Sequence, residues 1–388
     1  MNTEEIPRSR NQENIMIEPG SEHLFAIVMA GGTGSALWPV SRRKVPRHFL
    51  PLFGRDAMIA ATIRRLECLV RKENILVMTS HQGALRMEDV LGNIDIPTVI
   101  VEPQGRNTAP CIALATAVIR KRDPDAVSII VPADHQVLDE NAFRACIADA
   151  IGLAAEKQQL VAIGVRPRRP ETSYGYLQVE LPAAEQRASD GSPGHFFRVR
   201  TFAEKPDGAT AQKFLESGDF YWNSGIYIWH IDAISREFRR SMPDLYRDMA
   251  VMYQAIGTAA EHDMIEDVYS WQHPVSIVCG VMEQSDAVVM IEGRFGWRDL
   301  GSWDDLIEAI ESEGGTARTA DVSSGLLEIS SERNTVHKAA EKAVCLVGVN
   351  DLMVIDTDDA LLVCRKGSSQ GVRKAVDIMR REGLEKWL

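Results

Sequence analysis

The chain has 388 residues, 45% of them hydrophobic and 25% charged, with 43 basic and 55 acidic side chains giving a formal net charge of -12. That length exceeds one ordinary core and fits two domains, or one large domain with an appendage, in a soluble globular protein. The acidic balance excludes non-specific nucleic-acid binding, which relies on a positive field, but leaves room for a nucleotide substrate that needs only a local cationic cluster and brings Mg²⁺ with it.

Residues Met1 to Glu22 are polar and mixed in charge, with Pro7 and Pro19 and no apolar h-region, so a flexible tail is expected and not a signal peptide. From Phe25 to Ala30 an apolar run, read as a buried strand, empties into Gly31-Gly32-Thr33-Gly34. Backbone without side chains after a strand brings amide N–H groups close to a phosphate. Neither common phosphate-loop pattern fits. No Gly-Lys-Ser/Thr follows, and Leu37 stands where the dinucleotide fingerprint needs a third small residue. Instead the glycines lead into Trp38-Pro39, Ser41-Arg42 and Pro46-Arg47-His48-Phe49.

Strand and helix then alternate. Apolar spacing predicts helices over 57–69, 109–121 and 141–157, and strands over 74–79, 98–102, 126–131 and 160–165. Such alternation implies right-handed βαβ units in an α/β, Rossmann-like, mostly parallel sheet, with ligands beyond the carboxyl ends of the strands. From Pro167 the texture changes. Arg166 to Pro170 is basic and proline-rich, Glu185 to Gly194 is a Ser/Gly/Pro-rich loop, and 196–203 alternates as a strand does. Insertions of this kind commonly build the second wall of a cleft. Helices are expected over 231–240 and 243–256. The last segment holds short β-rich pieces at 334–337, 343–348, 352–356 and 360–364, closed by a helix over 370–381. No internal repeat is legible. The expected organisation is a tail over 1–23, an α/β domain over 24–310 and a small β-rich domain over 311–388. The six cysteines include no pair at metal-ligand spacing and read as scattered thiols of a reducing compartment. No apolar run approaches the roughly 20 residues of a membrane helix. A cytoplasmic protein, with neither nucleic acid nor membrane as partner, is expected.

Four strings carry chemistry. Val131-Pro132-Ala133-Asp134-His135 places a carboxylate at a strand end, either as a Mg²⁺ ligand or as a turn-forming Asp that caps the next helix. Trp297-Arg298-Asp299-Leu300-Gly301-Ser302-Trp303 offers a second carboxylate, with an aromatic corner as its plainer reading. Glu102-Pro-Gln-Gly-Arg-Asn-Thr-Ala-Pro110 ends a strand and presents Arg106, Asn107 and Thr108 before a helix. An amide and a hydroxyl there can read a base edge, or the string is an ordinary capped turn. Phe202-Ala203-Glu204-Lys205-Pro206-Asp207 couples an acceptor to a point cation: Glu204 suits two sugar hydroxyls and Lys205 a phosphate, against the alternative of a solvated pair. Tyr174-Gly175-Tyr176 and Tyr221-Trp222-Asn223-Ser224-Gly225 accompany it.

In this order, from about Leu24 to the C-terminus, the motifs resemble those of sugar-1-phosphate nucleotidyltransferases, in particular the mannose-1-phosphate guanylyltransferases. The resemblance implies a glycosyltransferase-A-like α/β domain with a left-handed β-helix-like C-terminal part. It implies transfer from GTP to α-D-mannose 1-phosphate, giving GDP-mannose for polysaccharide biosynthesis, and pyrophosphate. By carry-over, Asp134 and Asp299 hold one Mg²⁺ and act in catalysis with Arg47 and Lys205. Gly31, Gly32, Gly34, Glu102, Arg106, Asn107 and Thr108 bind the nucleotide. Gly175, Glu204 and Asn223 hold the hexose, with Lys205 on its phosphate. Some relatives continue into a cupin phosphomannose-isomerase domain, so a form without that second activity is expected here.

Two positions depart from the family pattern. Ala36 stands where the loop normally carries an arginine credited with stabilising transition-state charge, and Arg47-His48 replaces Lys-Gln. Arg42 and Arg43 are the nearby candidates for compensation. Ala36 keeps a second function open, a weakly active or non-catalytic paralogue that binds nucleotide sugar and regulates a partner. Another hexose 1-phosphate also stays open, as does self-association into a homo-oligomer.

Overall fold

In chain order, the computed structural model forms β1 (Leu24–Ala30), α1 (Met58–Glu67), β2 (Ile75–Ser80), α2 (His81–Leu91), β3 (Thr98–Glu102), α3 (Thr108–Arg122), β4 (Val127–Pro132), β5 (His135–Val137), α4 (Glu140–Lys157) and β6 (Leu160–Val165). Next come β7 (Gly175–Val179), β8 (Phe196–Glu204), α5 (Gly208–Ser217), β9 (Phe220–His230), α6 (Ile231–Ser241), α7 (Pro243–Ala255), α8 (Glu261–Trp271), α9 (Ile277–Gly280), β10 (Val288–Glu292), β11 (Trp297–Asp299) and α10 (Trp303–Ser312). The chain closes with β12 (Leu326–Ile329), β13 (Thr335–Lys338), β14 (Val344–Val347), β15 (Leu352–Asp356), β16 (Leu361–Arg365) and α11 (Gly371–Arg381). The structure describes residues 18–32, 34–52, 56–91, 98–157, 159–181, 196–312, 325–338 and 342–388. Most of the expected tail, the loop expected over 185–194 and Thr33 lie outside the described residues. The described end of the tail is tied down: Gly20 N donates to Leu69 O at 2.6 Å and Asn74 Nδ2 to Glu22 O at 2.8 Å.

The contacts gather the chain into two units. The first contains the chain up to Gly31, Thr62–Ala133 and Val137–Trp297; the second contains Gly32–Ala61, Asp134–Gln136 and Arg298–Leu388. A nine-stranded sheet in the order β3-β2-β1-β4-β9-β6-β10-β8-β7 centres the first unit. The apolar runs of β1, β2, β4 and β6 are buried along nearly their whole length, as strands covered on both faces must be. Helix α3 is buried from Ala109 to Arg120, apolar on every side, and packs against β1, β2 and α7.

The expectation of a mostly parallel sheet is corrected. The strands from β3 to β4 run parallel, as do β6 and β10. But β9 runs antiparallel to β4, β6 and β7, and β8 antiparallel to β7 and β10, so the sheet is mixed. The antiparallel strands come from 175–230, the insertion read only as motifs and one strand. Alternation of β and α predicts parallel pairing only where a helix makes the crossover; β7, β8 and β9 return along one another instead.

In the second unit the C-terminal strands stack as parallel ladders, β12 on β14 and β13 on β15. Hydrogen bonds repeat the same offset of 18 residues: Glu332 N to Asn350 Oδ1, Arg333 to Asp351, and Leu352 N to Asn334 Oδ1. This is the coil of a β-helix, and it is the repeat that the sequence hid. One apolar cluster joins Leu37 and Trp38 to Trp303, Leu306 and Ile307 of α10, Met353 and Ile355 of β15, and Val372 and Val376 of α11. Residues just after the glycine turn are therefore packed on the C-terminal β unit.

Candidate active site

Within the second unit, Gly34 takes φ +61, and a Cβ there would run into Ser41 Oγ and lie 2.7 Å from the backbone nitrogen of Arg47. Only glycine fits, and its absent side chain lets Arg47 start directly against the loop. The guanidinium of Arg47 then gathers the two acidic residues named from sequence. Nε and Nη2 both lie 2.6 Å from Asp134 Oδ2, Nη2 lies 3.0 Å from Asp299 Oδ1, and Nη1 donates to Leu300 O at 2.6 Å. Burial alone would lower the Arg47 pKa, but Asp134 and Asp299 outweigh it and raise it, so the charge is permanent. Burial pushes Asp134 up, and Arg47, with the two neighbouring histidines, more than reverses this, to about 2. His48 is held neutral. Burial brings it down to about 4, and its Nε2 finds no hydrogen-bond partner among the described residues.

Arg42, the first candidate to compensate for Ala36, is committed elsewhere. Its Nη1 and Nη2 grip Asp359 at 2.8 and 2.5 Å, Nη2 also reaches Thr357 Oγ1, and Nε donates to Pro39 O at 2.8 Å. Ala36 itself is buried. Trp38 Nε1 donates to Trp387 O at 2.7 Å and Trp303 Nε1 to Trp38 O at 2.9 Å, so the segment after the glycines is fixed at several points.

Within the first unit, β3 delivers Glu102 into a buried position, and its Oε2 lies 3.8 Å from where a Cβ of Gly31 would sit. The rest of that string is woven into a segment distant in sequence. Arg106 Nε donates to Tyr269 O at 3.0 Å and Nη2 to Ser270 O at 3.2 Å and Gln104 Oε1 at 2.7 Å. The side chain of Asn107, at φ 68, accepts from Thr108 N and caps α3, while Thr108 Oγ1 accepts from Ile277 N at 2.8 Å. The capped-turn reading thus describes what these three side chains do; Glu102 is buried, and the Asn107 side chain is exposed.

The residues expected to face the hexose also converge in the first unit. Gly175 opens β7 opposite Glu204 at the end of β8, and a Cβ on Gly175 would stand 2.9 Å from Glu204 Oε2 and 3.6 Å from Asn223 Cβ. Asn223 of β9 is oriented by Tyr227, donating to its hydroxyl at 2.8 Å and accepting from it at 3.2 Å. Lys205, at φ 44, lies 3.6 Å from Glu204 Oε1, both side chains about half exposed. Gly175, Glu204, Lys205 and Asn223 are thus brought together, as are Arg47, Asp134 and Asp299. Sequence reasoning missed Tyr227 and the carbonyl of Leu300. For Tyr227 a signal existed: a spacing of four on a strand puts it on one face with Asn223.

These are the side chains that the motifs of a sugar-1-phosphate nucleotidyltransferase single out, and similarity to known proteins places the chain in that class. The family model described as Nucleotidyl transferase matches residues 25–314, and one described as MannoseP isomerase/GMP-like beta-helix domain matches 328–379. The chain is 34% identical over 368 residues to the mannose-1-phosphate guanylyltransferase of Escherichia coli K12, covering 93% of this chain and 74% of that one. It is 32% identical over 364 residues to the xanthan biosynthesis protein XanB of Xanthomonas campestris, with the same coverage. A crystal structure described as mannose-1-phosphate geranyltransferase from Thermus thermophilus superposes with a TM-score of 0.74 at 30% identity, over 92% of this chain and 99% of that one. The chain belongs to the mannose-1-phosphate guanylyltransferase family. It spans about three quarters of the length of those curated relatives. Among the described residues no helix is long and apolar enough to cross a membrane.

Proposed function

We propose that the chain transfers a guanylyl group from GTP to α-D-mannose 1-phosphate, giving GDP-mannose and pyrophosphate, the product serving polysaccharide assembly. A phosphate oxygen of the sugar phosphate attacks the α-phosphorus in line, the new P–O bond forms, and the bond to the β-phosphate breaks as pyrophosphate leaves. No protein nucleophile is needed, since positioning and charge neutralisation supply the catalysis. The observation that carries this reading is the meeting of Asp134 Oδ2 and Asp299 Oδ1 on one nitrogen of Arg47, beside the glycine loop.

Asp134 and Asp299 are of the donor type that Mg²⁺ takes. Their two oxygens converge on Arg47 Nη2, and a small hard cation taking that place would draw the rest of its shell from phosphate and water. Asp134 and Asp299 would hold it. When bound, it would offset charge on the phosphates. Arg47 supplies a permanent cation for the same oxygens. Glu204 and Asn223 would orient the hexose hydroxyls, and Lys205, exposed and able to swing, would meet the sugar phosphate.

Ala36 and the engagement of Arg42 by Asp359 favour the second reading, a nucleotide-sugar-binding regulator. Pyrophosphate release with GTP, Mg²⁺ and a panel of hexose 1-phosphates separates the two. The transfer reading expects turnover, fastest with mannose 1-phosphate. Folded protein that binds GDP-mannose without turnover would decide for the regulator.

A further inference from the structure

The glutamate that ends β3 is not alone. Tyr269, in the last turn of α8 and fully buried, shares its single hydroxyl proton between Glu102 Oε1 at 3.2 Å and Pro110 O at 3.3 Å. The same turn of α8 supplies the carbonyls of Tyr269 and Ser270 that hold Arg106. Just beyond it, Val275 exchanges backbone hydrogen bonds with Arg106 and Ala109, and Ile277 N binds Thr108 Oγ1. The segment from Tyr269 to Ile277 is thus the template on which the whole 102–110 string is shaped, touching it at both ends.

We infer that Tyr269 is a positioning residue for nucleotide recognition: its hydroxyl binds one oxygen of Glu102 and leaves the other on the side of Gly31, where a guanine N–H would meet it. This rests on the proposed guanylyl transfer. A carboxylate accepts from the N1–H and the exocyclic amine of guanine, whereas a neutral carboxylic acid presents a donor and suits an acceptor at that place. A site built around such an acceptor discriminates strongly when its polar groups are otherwise left unpaired.

The balance at Glu102 is a fine one. Burial raises its pKa to about 7, and hydrogen bonds from the Cys111 thiol and the Tyr269 hydroxyl hold it from going higher. The groups facing it are Cys111 from α3 and Tyr269 from α8; Ser80, its register partner on β2, and Gly31 at the end of β1 carry no titratable side chain. Removing one donor from the carboxylate therefore shifts the acid–base midpoint upward, while the tyrosine ring keeps its packing.

The test is the KM for GTP and kcat across pH ~6 to ~9 for the natural chain, Tyr269→Phe and Glu102→Gln. The natural chain should show a GTP KM that rises about tenfold per unit as pH falls below about 7. In Tyr269→Phe that inflection should move up by about one unit, so KM rises several-fold at neutral pH, converges on the natural value near pH ~9, and leaves kcat at saturation unchanged. Glu102→Gln should abolish the inflection. Cys111→Ala, which removes the other donor, should shift it in the same direction by at least as much, and serves if Tyr269→Phe does not fold. A Tyr269→Phe defect of equal size at every pH, or an unmoved inflection, overturns the proposal. An inflection that survives Glu102→Gln also overturns it, by removing Glu102 from the base while leaving guanylyl transfer intact. Absence of turnover by the natural chain defeats the transfer reading instead, and calorimetric GTP binding over the same pH series then decides on Tyr269.

Discussion

The acidic cluster of the second unit and the Gly175, Glu204, Lys205 and Asn223 group of the first are built on opposite plans. Arg47, Asp134 and Asp299 are tied to one another at 2.6 to 3.0 Å with side-chain exposures of 13 to 25%. Glu204 and Lys205 stand 43 and 57% exposed and only 3.6 Å apart, a pairing that contributes little. The contrast teaches where rigidity is spent. On the proposed transfer, charge that must meet a transferring phosphoryl group would be fixed before substrate arrives, so that reorganisation costs nothing during reaction. Groups proposed to read a hydrated sugar would stay solvated until it binds, and Asn223, held by Tyr227, would give them one fixed reference.

Breaking the tied half should hurt most. Asp134→Asn and Asp299→Asn should each lower kcat by about 10²- to 10³-fold, the scale of losing one group aimed at transition-state charge; pyrophosphate release measures it. Arg47→Met should cost a similar factor and also about 3 kcal/mol of stability in urea, because Asp134 is left with its compensation gone. The same variant sharpens the contrast in another way. With the guanidinium removed from the point where both carboxylates meet, Mn²⁺ followed by its paramagnetic signal should bind the substrate-free protein about tenfold more tightly.

The open half should respond in affinity. Glu204→Gln and Lys205→Met should raise KM for mannose 1-phosphate by about tenfold while the melting temperature barely moves, since neither side chain is buried. Acid acts on the tied half again. Asp134 has a folded pKa lowered to about 2 from 3.8, so its contribution is complete above 3.8 and lost as pH falls through about 2. Its share is about 2 kcal/mol, and acid unfolding of Asp134→Asn should show that much less dependence on pH below 4.

Much of this was legible in the sequence where one residue type has one physical use. The apolar runs that became β3, β6 and β15 are found at their expected bounds: β6 is buried throughout, and the edge strand β3 keeps its signal through the β-branched run Thr98 to Val101. Helices α5 and α8 gave no such signal, their polar faces diluting the period. The aromatic alternation of β9, from Phe220 to Trp229, could have revealed a strand. The coil repeat hid because among the register pairs of β13 and β15 only Val336 and Val354 are identical, while Thr335 faces Met353 and His337 faces Ile355. At the site, motifs exposed Asp134 and Asp299 as acids with a purpose. That one guanidinium joins them could not be read, since Arg47 lies 87 and 252 residues away. Tyr269, 167 residues from Glu102, looked like any tyrosine on a helix. The commitment of Arg42 to Asp359 was equally invisible, and it removes the simplest answer to the alanine at 36. Ala36→Arg should therefore raise kcat if the loop can turn that side chain out of its buried position, and the same pyrophosphate assay reads it.

The most direct measurement is single-turnover formation of GDP-mannose from GTP and mannose 1-phosphate by the natural chain beside Asp299→Asn. A centre made of Asp134, Asp299 and Arg47 predicts rapid product from the first and a loss of about 10²-fold or more from the second with nucleotide still bound. Equal rates from the two proteins would contradict it.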